Sequence, residues 1–91
     1  MAEELTMTVT ILPAALRNLA TLPKADQKRV IERIDGLATD PRPAGEKALQ
    51  GQHGLYRLRS GNYRIIYRIE DDRLLVLVIK IGHRRDVYRG L

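Results

Sequence analysis

The sequence predicts an α+β domain with the element order β-α-α-β-β-β, in which a two-helix hairpin packs on one face of a four-stranded, mostly antiparallel sheet. Three observations lead to this fold class. Residues 7–12 alternate and are rich in β-branched side chains, residues 24–39 carry apolar side chains at helical spacing, and two strand-like runs flank Ser60-Gly61-Asn62.

The first strand and the first helix are predicted around Pro13. The strand covers Met7 to Leu12, and its alternation points three side chains inward: Met7, Val9 and Ile11. Pro13 suits the first turn of a helix, because its missing N–H costs nothing there. The helix that follows, Ala14–Leu22, has an apolar face of Leu16 and Leu19 beside Ala15 and Leu22.

The second helix is predicted over Lys24–Thr39, directly after Pro23. Its apolar stripe follows helical spacing and consists of Val30, Ile34, Leu37 and Ala38, widened by Ile31. The segment from Asp40 to about His53 contains prolines and glycines and is predicted to be a loop.

The stretch Gly54–Tyr67 predicts a β-hairpin with two different faces. Either Ser60-Gly61 or Gly61-Asn62 can form a two-residue turn, because each dipeptide contains a residue that tolerates positive φ. With either turn, opposed side chains share a face of the sheet. One face then carries Arg57, Arg59, Arg64 and Arg68 with Ile66, and the other carries Tyr56, Leu58, Tyr63, Ile65, Tyr67 and Ile69.

The last strand is predicted over Arg73–Gly82, after a turn at Glu70-Asp71-Asp72. It is apolar on both faces, which is typical of a central strand. If Asp71-Asp72 forms a two-residue turn, the arginine face also receives Leu75, Leu77 and Ile79. The polar tail after Gly82 is expected to leave the sheet edge beside the arginine face.

Composition predicts one domain over residues 1–91, with residues 1–6 as a loose tail. The chain has no cysteine and no apolar run near the ~18 residues of a membrane span, so we expect a cytosolic protein without disulfides. The net charge is +5, and nine basic against four acidic side chains lie between Tyr56 and Gly90. This surplus, mostly arginine, predicts an anionic partner, either a nucleic acid or an acidic protein.

A long motif resembles a known protein family. The run Leu49-Gln-Gly-Gln-His-Gly-Leu-Tyr-Arg-Leu-Arg-Ser-Gly-Asn-Tyr-Arg-Ile-Ile-Tyr-Arg-Ile, followed by Asp71-Asp72, an apolar strand and Gly82-His-Arg-Arg-Asp-Val-Tyr, is similar to the RelE branch of the RelE/ParE toxin superfamily. The resemblance covers nearly the whole chain. It implies a growth-arrest toxin that cleaves mRNA in the ribosomal A site without a metal ion or cofactor, and that pairs with a RelB-like antitoxin.

The resemblance also implies the site residues. By position, Arg57 and Arg59 match two basic residues of the first hairpin strand, and Arg64 matches the arginine of the second. Arg84 and Tyr88 match the C-terminal arginine and tyrosine. Arg64 and Arg84 would hold the scissile phosphate, Tyr88 would stack on a base or relay a proton, and the remaining RNA contacts would come from Arg57, Arg59, Arg68 and Arg85.

The general base is not identified by the resemblance. The best-known members of the family carry lysines where this chain has Arg57 and Arg59, and arginine is a poor general base. His83 is the candidate acid or base, since imidazole groups ordinarily titrate near pH ~6.5. Lys47 or Lys80 could replace it only in surroundings that favour neutral lysine.

Other interpretations of the same residues stay open. His83 could be a hydrogen-bonded structural side chain, and Tyr88 could close the core with its ring. A ParE-like protein that inhibits DNA gyrase would keep the fold without the nuclease chemistry. A plain nucleic-acid-binding module is a third reading, although the basic face has few aromatic residues on which bases could stack.

Overall fold

A computed structural model describes residues 6–43, 47–48 and 54–87 of the chain. The elements follow the predicted order, and one short strand is added to them. They are β1 (Thr8–Ile11), α1 (Pro13–Ala20), α2 (Lys24–Gly36), β2 (Lys47–Ala48), β3 (Leu55–Ser60), β4 (Tyr63–Glu70) and β5 (Leu75–His83).

The strands form one mixed sheet in the order β1-β5-β4-β3-β2. β1 pairs with β5 in parallel, and the other neighbouring strands are antiparallel. β5 therefore lies between β1 and β4, as its two apolar faces predicted. The predicted four strands need one correction, because the two-residue β2 pairs with the outer edge of β3 and satisfies backbone groups there.

The two helices pack on the sheet face that carries Tyr67, mostly through the apolar residues that the sequence predicted. α1 buries Ala15 and Leu19, and α2 buries Val30 and Ile34. The prediction was wrong for Leu16, which is 49% exposed, and for Ile31, which is 39% exposed. α1 is rotated so that the small Ala15 meets the sheet, which turns Leu16 outward. No helix in the described residues combines the length and the apolar composition needed to cross a membrane.

The segment after α2 is fixed across the sheet by polar contacts. The Tyr67 hydroxyl donates to the Pro41 carbonyl at 2.9 Å. Arg42 donates to both carboxylate oxygens of Asp71, at 3.2 and 2.9 Å, and its guanidinium lies 5.5 Å from the Tyr56 ring centroid. The Arg42 hydrogen bond lowers the pKa of Asp71, and the same bond raises the pKa of Arg42. These contacts hold residues 41–42 against the strands.

The connection between β4 and β5 is longer than the predicted two-residue turn. It consists of a 3-10 turn over Asp71–Arg73 and of Leu74, which has a positive φ of 51°. β5 therefore begins at Leu75, two residues later than predicted. The left-handed conformation is unfavourable for leucine because its Cβ approaches the following carbonyl oxygen.

Candidate functional site

The register of the central hairpin places four arginines on the sheet face opposite the helices. Ser60 pairs with Tyr63, so the turn is Gly61-Asn62, with Gly61 at a positive φ of 59°. Arg59 lies opposite Arg64, Arg57 opposite Ile66, and Leu55 opposite Arg68. Because opposed side chains share a face, the predicted arginine face is confirmed.

A β-bulge adds a lysine to this face. Tyr67 pairs with Val78 but Ile66 pairs with Lys80, so Ile79 is an extra residue in β5. A bulge shifts the alternation of side chains by one position. Lys80 therefore joins the arginine side, whereas Ile81 turns into the core, where it is 1% exposed. The sequence did not reveal this shift, because Leu74 to Ile81 is apolar at almost every position.

We use the name basic face for the side chains of Arg57, Arg59, Arg64, Arg68 and Lys80. In lateral order across β3, β4 and β5, the rows are Arg59–Arg64–Gly82, Arg57–Ile66–Lys80 and Leu55–Arg68–Leu77. Positive charge is concentrated toward the Gly61-Asn62 turn, and apolar side chains toward the opposite end. Leu75 and Leu77 lie on this side, opposite Glu70 and Arg68, and are half-buried. Ile79, which was predicted to join them if Asp71-Asp72 formed a two-residue turn, is instead the extra residue of the bulge.

Arg64 is fixed more firmly than an ordinary surface arginine. Its side chain is buried, and its Nη1 donates to the carbonyl oxygens of Tyr63 at 3.1 Å and Gly61 at 3.5 Å. The guanidinium is thereby held against the hairpin turn. Arg59 lies across from it and is exposed, while its own carbonyl accepts a hydrogen bond from Arg33 Nε at 3.2 Å. One oriented and one exposed arginine thus form a row beside Gly82.

The turn after β5 brings further arginines to the same end of the sheet. The Arg84 amide donates to the Asn62 carbonyl at 2.9 Å, which ties this turn to the hairpin turn. Val87 is buried and packs over Gly82, where an added Cβ would lie 3.4 Å from the Val87 Cα. Arg84 and Arg85 are exposed. The predicted phosphate-binding residues Arg64 and Arg84 therefore lie beside the same turn.

His83 lies on the other side of the sheet from the basic face. It pairs with Tyr63, which packs against the core, and the two rings meet edge to face with centroids 6.2 Å apart. Its Nδ1 accepts a hydrogen bond from the Arg85 amide at 3.4 Å. The bulge is the cause, because it reverses the side on which each residue after Ile79 projects. Tyr88, the other predicted proton-transfer residue, lies outside the described residues.

The basic face can hold a phosphodiester. Arginine binds phosphate oxygens through two parallel hydrogen bonds, and its charge persists at every relevant pH. Ile66, buried in the middle row, provides an apolar floor between Arg57 and Lys80. Within the described part of the chain, no cluster of three or more His, Cys, Asp or Glu side chains could bind a metal ion.

Comparison with known proteins gives a consistent result. Residues 9–88 match the family described as the ParE toxin of the type II toxin–antitoxin system parDE. Toxin RelG of Mycobacterium tuberculosis is 34% identical over 83 residues, which cover 90% of this chain and 95% of that protein.

Two solved structures share the fold. The RelE–RelB complex from Pyrococcus horikoshii aligns with a TM-score of 0.79 and 31% identity, covering 90% of this chain and 99% of that one. The RelBE2 toxin–antitoxin complex of Mycobacterium tuberculosis aligns with a TM-score of 0.76 and 30% identity, covering 87% and 99%. The ParE family model and the RelE-named relatives fall within one superfamily, as the sequence motif predicted. The chain therefore belongs to the RelE/ParE superfamily of type II toxin–antitoxin toxins, on its RelE branch.

Proposed function

We propose that the chain is a ribosome-dependent endoribonuclease that cleaves mRNA in the A site and so inhibits translation. The observation that carries this proposal is the basic face, where Arg57, Arg59, Arg64 and Lys80 occupy adjacent rows of three strands. Like charges placed opposite one another destabilise a sheet. A polyanionic substrate accounts for their presence.

The reaction is a transfer of the phosphoryl group within the RNA strand. The 2′-oxygen attacks the phosphorus, the bond from phosphorus to the 5′-oxygen breaks, and the products are a 2′,3′-cyclic phosphate and a 5′-hydroxyl. One proton leaves the 2′-hydroxyl and one reaches the departing 5′-oxygen. Arg64 and Arg84 stabilise the charge that develops on the phosphate oxygens, and Arg57, Arg59, Arg68 and Arg85 bind the neighbouring RNA backbone.

Lys80 is better placed than His83 to accept the 2′-hydroxyl proton, which it can do only as the neutral amine. Lys80 projects from the basic face beside Ile66, whereas His83 projects toward the helix side. His83 could then act only from the rim of the site, next to Arg84. The role predicted for Tyr88 as a stacking or proton-relay group remains part of the proposal.

We further propose that an acidic, partly helical antitoxin of the RelB type binds this chain. The solved complexes that share its fold are RelE–RelB pairs. The half-buried Leu75 and Leu77 lie beside the exposed Arg68 on the sheet side opposite the two described helices. An amphipathic helix with acidic side chains would complement both properties. Expression of the chain alone should therefore arrest growth, and co-expression with such a partner should restore it.

Primer extension on mRNA from cells that express the chain tests the proposal. Wild type should produce discrete, in-frame cuts. Arg84→Ala should reduce cutting by about 10²- to 10³-fold, the typical cost of removing one donor to a developing oxyanion. Arg59→Ala, which removes a contact to the neighbouring RNA backbone, should reduce cutting by less. Arg64→Ala should reduce cutting as much as Arg84→Ala does. Because Arg64 is buried, its replacement can also destabilise the fold. The exposed positions Arg59 and Arg84 therefore report the loss of cleavage without a loss of folding. Arg73→Ala, which removes an arginine at the far turn, is the matched control.

A gyrase supercoiling assay distinguishes the alternative function. The family model carries the ParE description, which makes DNA gyrase the second candidate target. Inhibited supercoiling with intact mRNA would establish that alternative and refute the nuclease. Cleaved mRNA with normal supercoiling is the result that we expect.

A further inference from the structure

A cavity of about 360 Å³ lies beside the basic face, where β1 ends. The last pair between β1 and β5 is Ile11 with Val78, so none of the described strands covers the outer edge of β5 beyond that point. The end of α1 covers it instead, and Asn18 Oδ1 accepts a hydrogen bond from the Ile81 amide at 3.1 Å. The volume falls within the range of about 300–1,000 Å³ that is typical of small-ligand sites.

The cavity combines flat rings with an apolar wall. Tyr63 and His83 contribute two rings, which stand nearly perpendicular at 83°. Leu22, Ile81 and Val87 contribute the aliphatic side chains. A planar ligand can stack on one ring and contact the aliphatic wall with its edge.

The polar groups of the cavity include both donors and acceptors. Asn18 uses its oxygen on Ile81, which leaves its amide nitrogen as a donor. His83 accepts at Nδ1 from the Arg85 amide, so the proton of the neutral ring lies on Nε2. Thr21 donates its hydroxyl hydrogen to the Asn18 carbonyl at 2.7 Å, so its oxygen can accept. Asp86 and Lys80 also line the cavity, where the carboxylate adds an acceptor and the lysine adds a donor.

This combination suits a nucleobase better than a second phosphate. A nucleobase is planar and presents donors beside acceptors along its edge, whereas a phosphate presents acceptors only and has no flat face to stack on Tyr63 or His83. The carboxylate favours a base with an exocyclic amino group, which guanine, adenine and cytosine have and uracil lacks.

The cavity borders the proposed phosphate site through Gly82. Gly82 lines the cavity and is also the residue opposite Arg64, and Arg84 follows His83 directly. We propose that the cavity binds an amino-bearing nucleobase of the RNA strand whose phosphate lies at Arg64 and Arg84. This inference deepens the proposed nuclease function and rests on it for the identity of the strand.

Binding of 5′-mononucleotides to the purified full chain tests the inference without any cleavage step. Amide spectra are recorded by NMR during titration with GMP, AMP, CMP and UMP. The Ile81 backbone and Asn18 side-chain signals should shift with the first three nucleotides. UMP should bind about tenfold more weakly, which corresponds to the loss of one charge-assisted hydrogen bond.

Variants assign the selectivity to the cavity. Asp86→Asn should reduce the preference over UMP to within about twofold, because an amide can donate to uracil as well as accept. Asp72→Asn removes an exposed carboxylate at the other end of the sheet and should leave the preference unchanged. If Asp86→Asn perturbs the spectrum of the free chain, Thr21→Val is the alternative variant. It removes a different hydrogen-bond acceptor from the cavity and should weaken binding of the amino-bearing nucleotides.

Three results would overturn the inference: equal affinity for all four nucleotides, shifts confined to the basic face, or no binding at all. Its failure is distinguishable from failure of the proposed function. If the chain cuts mRNA but binds the nucleotides without preference, the proposed nuclease function is supported and the proposed base site is refuted. If the chain binds the nucleotides with the predicted preference but cuts no mRNA, the base site is supported and the nuclease function is refuted.

Discussion

Replacing Arg59 by glutamine should stabilise the free protein while it impairs cleavage. Arg59 is exposed and lies directly opposite Arg64, with Arg57 two residues away on the same strand and the same face. Its backbone bond with Arg33 uses the carbonyl and survives the substitution. The change therefore removes one member of a cluster of like charges without removing a described side-chain contact.

The expected gain follows from the spacing of the strands. Opposed residues in antiparallel strands have Cα atoms about 4.5–5.5 Å apart, and residues two apart on one strand are about 6.8 Å apart. Two unit charges about 6 Å apart in water repel by about 0.7 kcal/mol. Arg59 has two such neighbours, and the guanidinium groups can point away from one another, so the total repulsion is about 1 kcal/mol at low salt. Removing it should raise the Tm by about 4–8 °C.

Thermal unfolding followed by circular dichroism at two salt concentrations is the assay. The gain should be largest at about 10 mM salt and nearly absent at about 1 M, because the Debye length falls from about 30 Å to about 3 Å. Arg73→Gln is the matched control: it makes the same change in net charge, but Arg73 lies 3.5 Å from the Glu70 carboxylate, so it should stabilise nothing. A destabilised or salt-insensitive Arg59→Gln protein would show that these guanidinium groups do not repel one another.

Three further predictions concern stability. Tyr67→Phe should cost about 0.5–1.5 kcal/mol in urea unfolding, because the bond to the Pro41 carbonyl is lost, whereas Tyr63→Phe should cost less; equal losses would contradict the role of that bond. Since Arg42 lowers the pKa of Asp71 in the folded chain, their pair should stabilise the protein above the unfolded pKa of about 3.9 and lose this effect as the pH falls further. The difference in urea midpoint between wild type and Asp71→Asn should therefore shrink with acid, and a constant difference would refute the linkage. Finally, Leu74→Gly should be more stable than Leu74→Ala by about 1 kcal/mol, because only glycine tolerates the positive φ without strain; the reverse order would contradict the left-handed backbone.

The hairpin shows what the sequence can specify. Any two-residue turn within Ser60-Gly61-Asn62 pairs odd positions of β3 with even positions of β4. The arginine face therefore follows from the sequence with either of the two possible turns. The structure selects Gly61-Asn62, and the same arginines share the face. Because charged and apolar residues alternate in this part of the chain, the sequence predicts which side chains share a face.

The last strand and the first helix show where sequence reasoning fails. Leu74 to Ile79 is apolar on both faces, so alternation gave no signal for the bulge at Ile79, and the sides of Lys80 and Ile81 were missed. In α1, Leu16 has a larger apolar surface than Ala15, yet Ala15 is the buried residue. Where a helix packs close to a sheet, the smaller side chain fits better between them. The hydrophobicity of the residues does not show how close the helix and the sheet will be.

The parallel pairing of β1 with β5 has a consequence for biosynthesis. During translation β1 emerges before the other described elements and its partner β5 after them, so this part of the sheet cannot close until all of them have been synthesised. Lys80 and Arg84 arrive with that last segment. A nascent chain consequently carries neither a finished core nor a complete basic face, and the topology separates the moment of synthesis from the moment at which the toxin is folded.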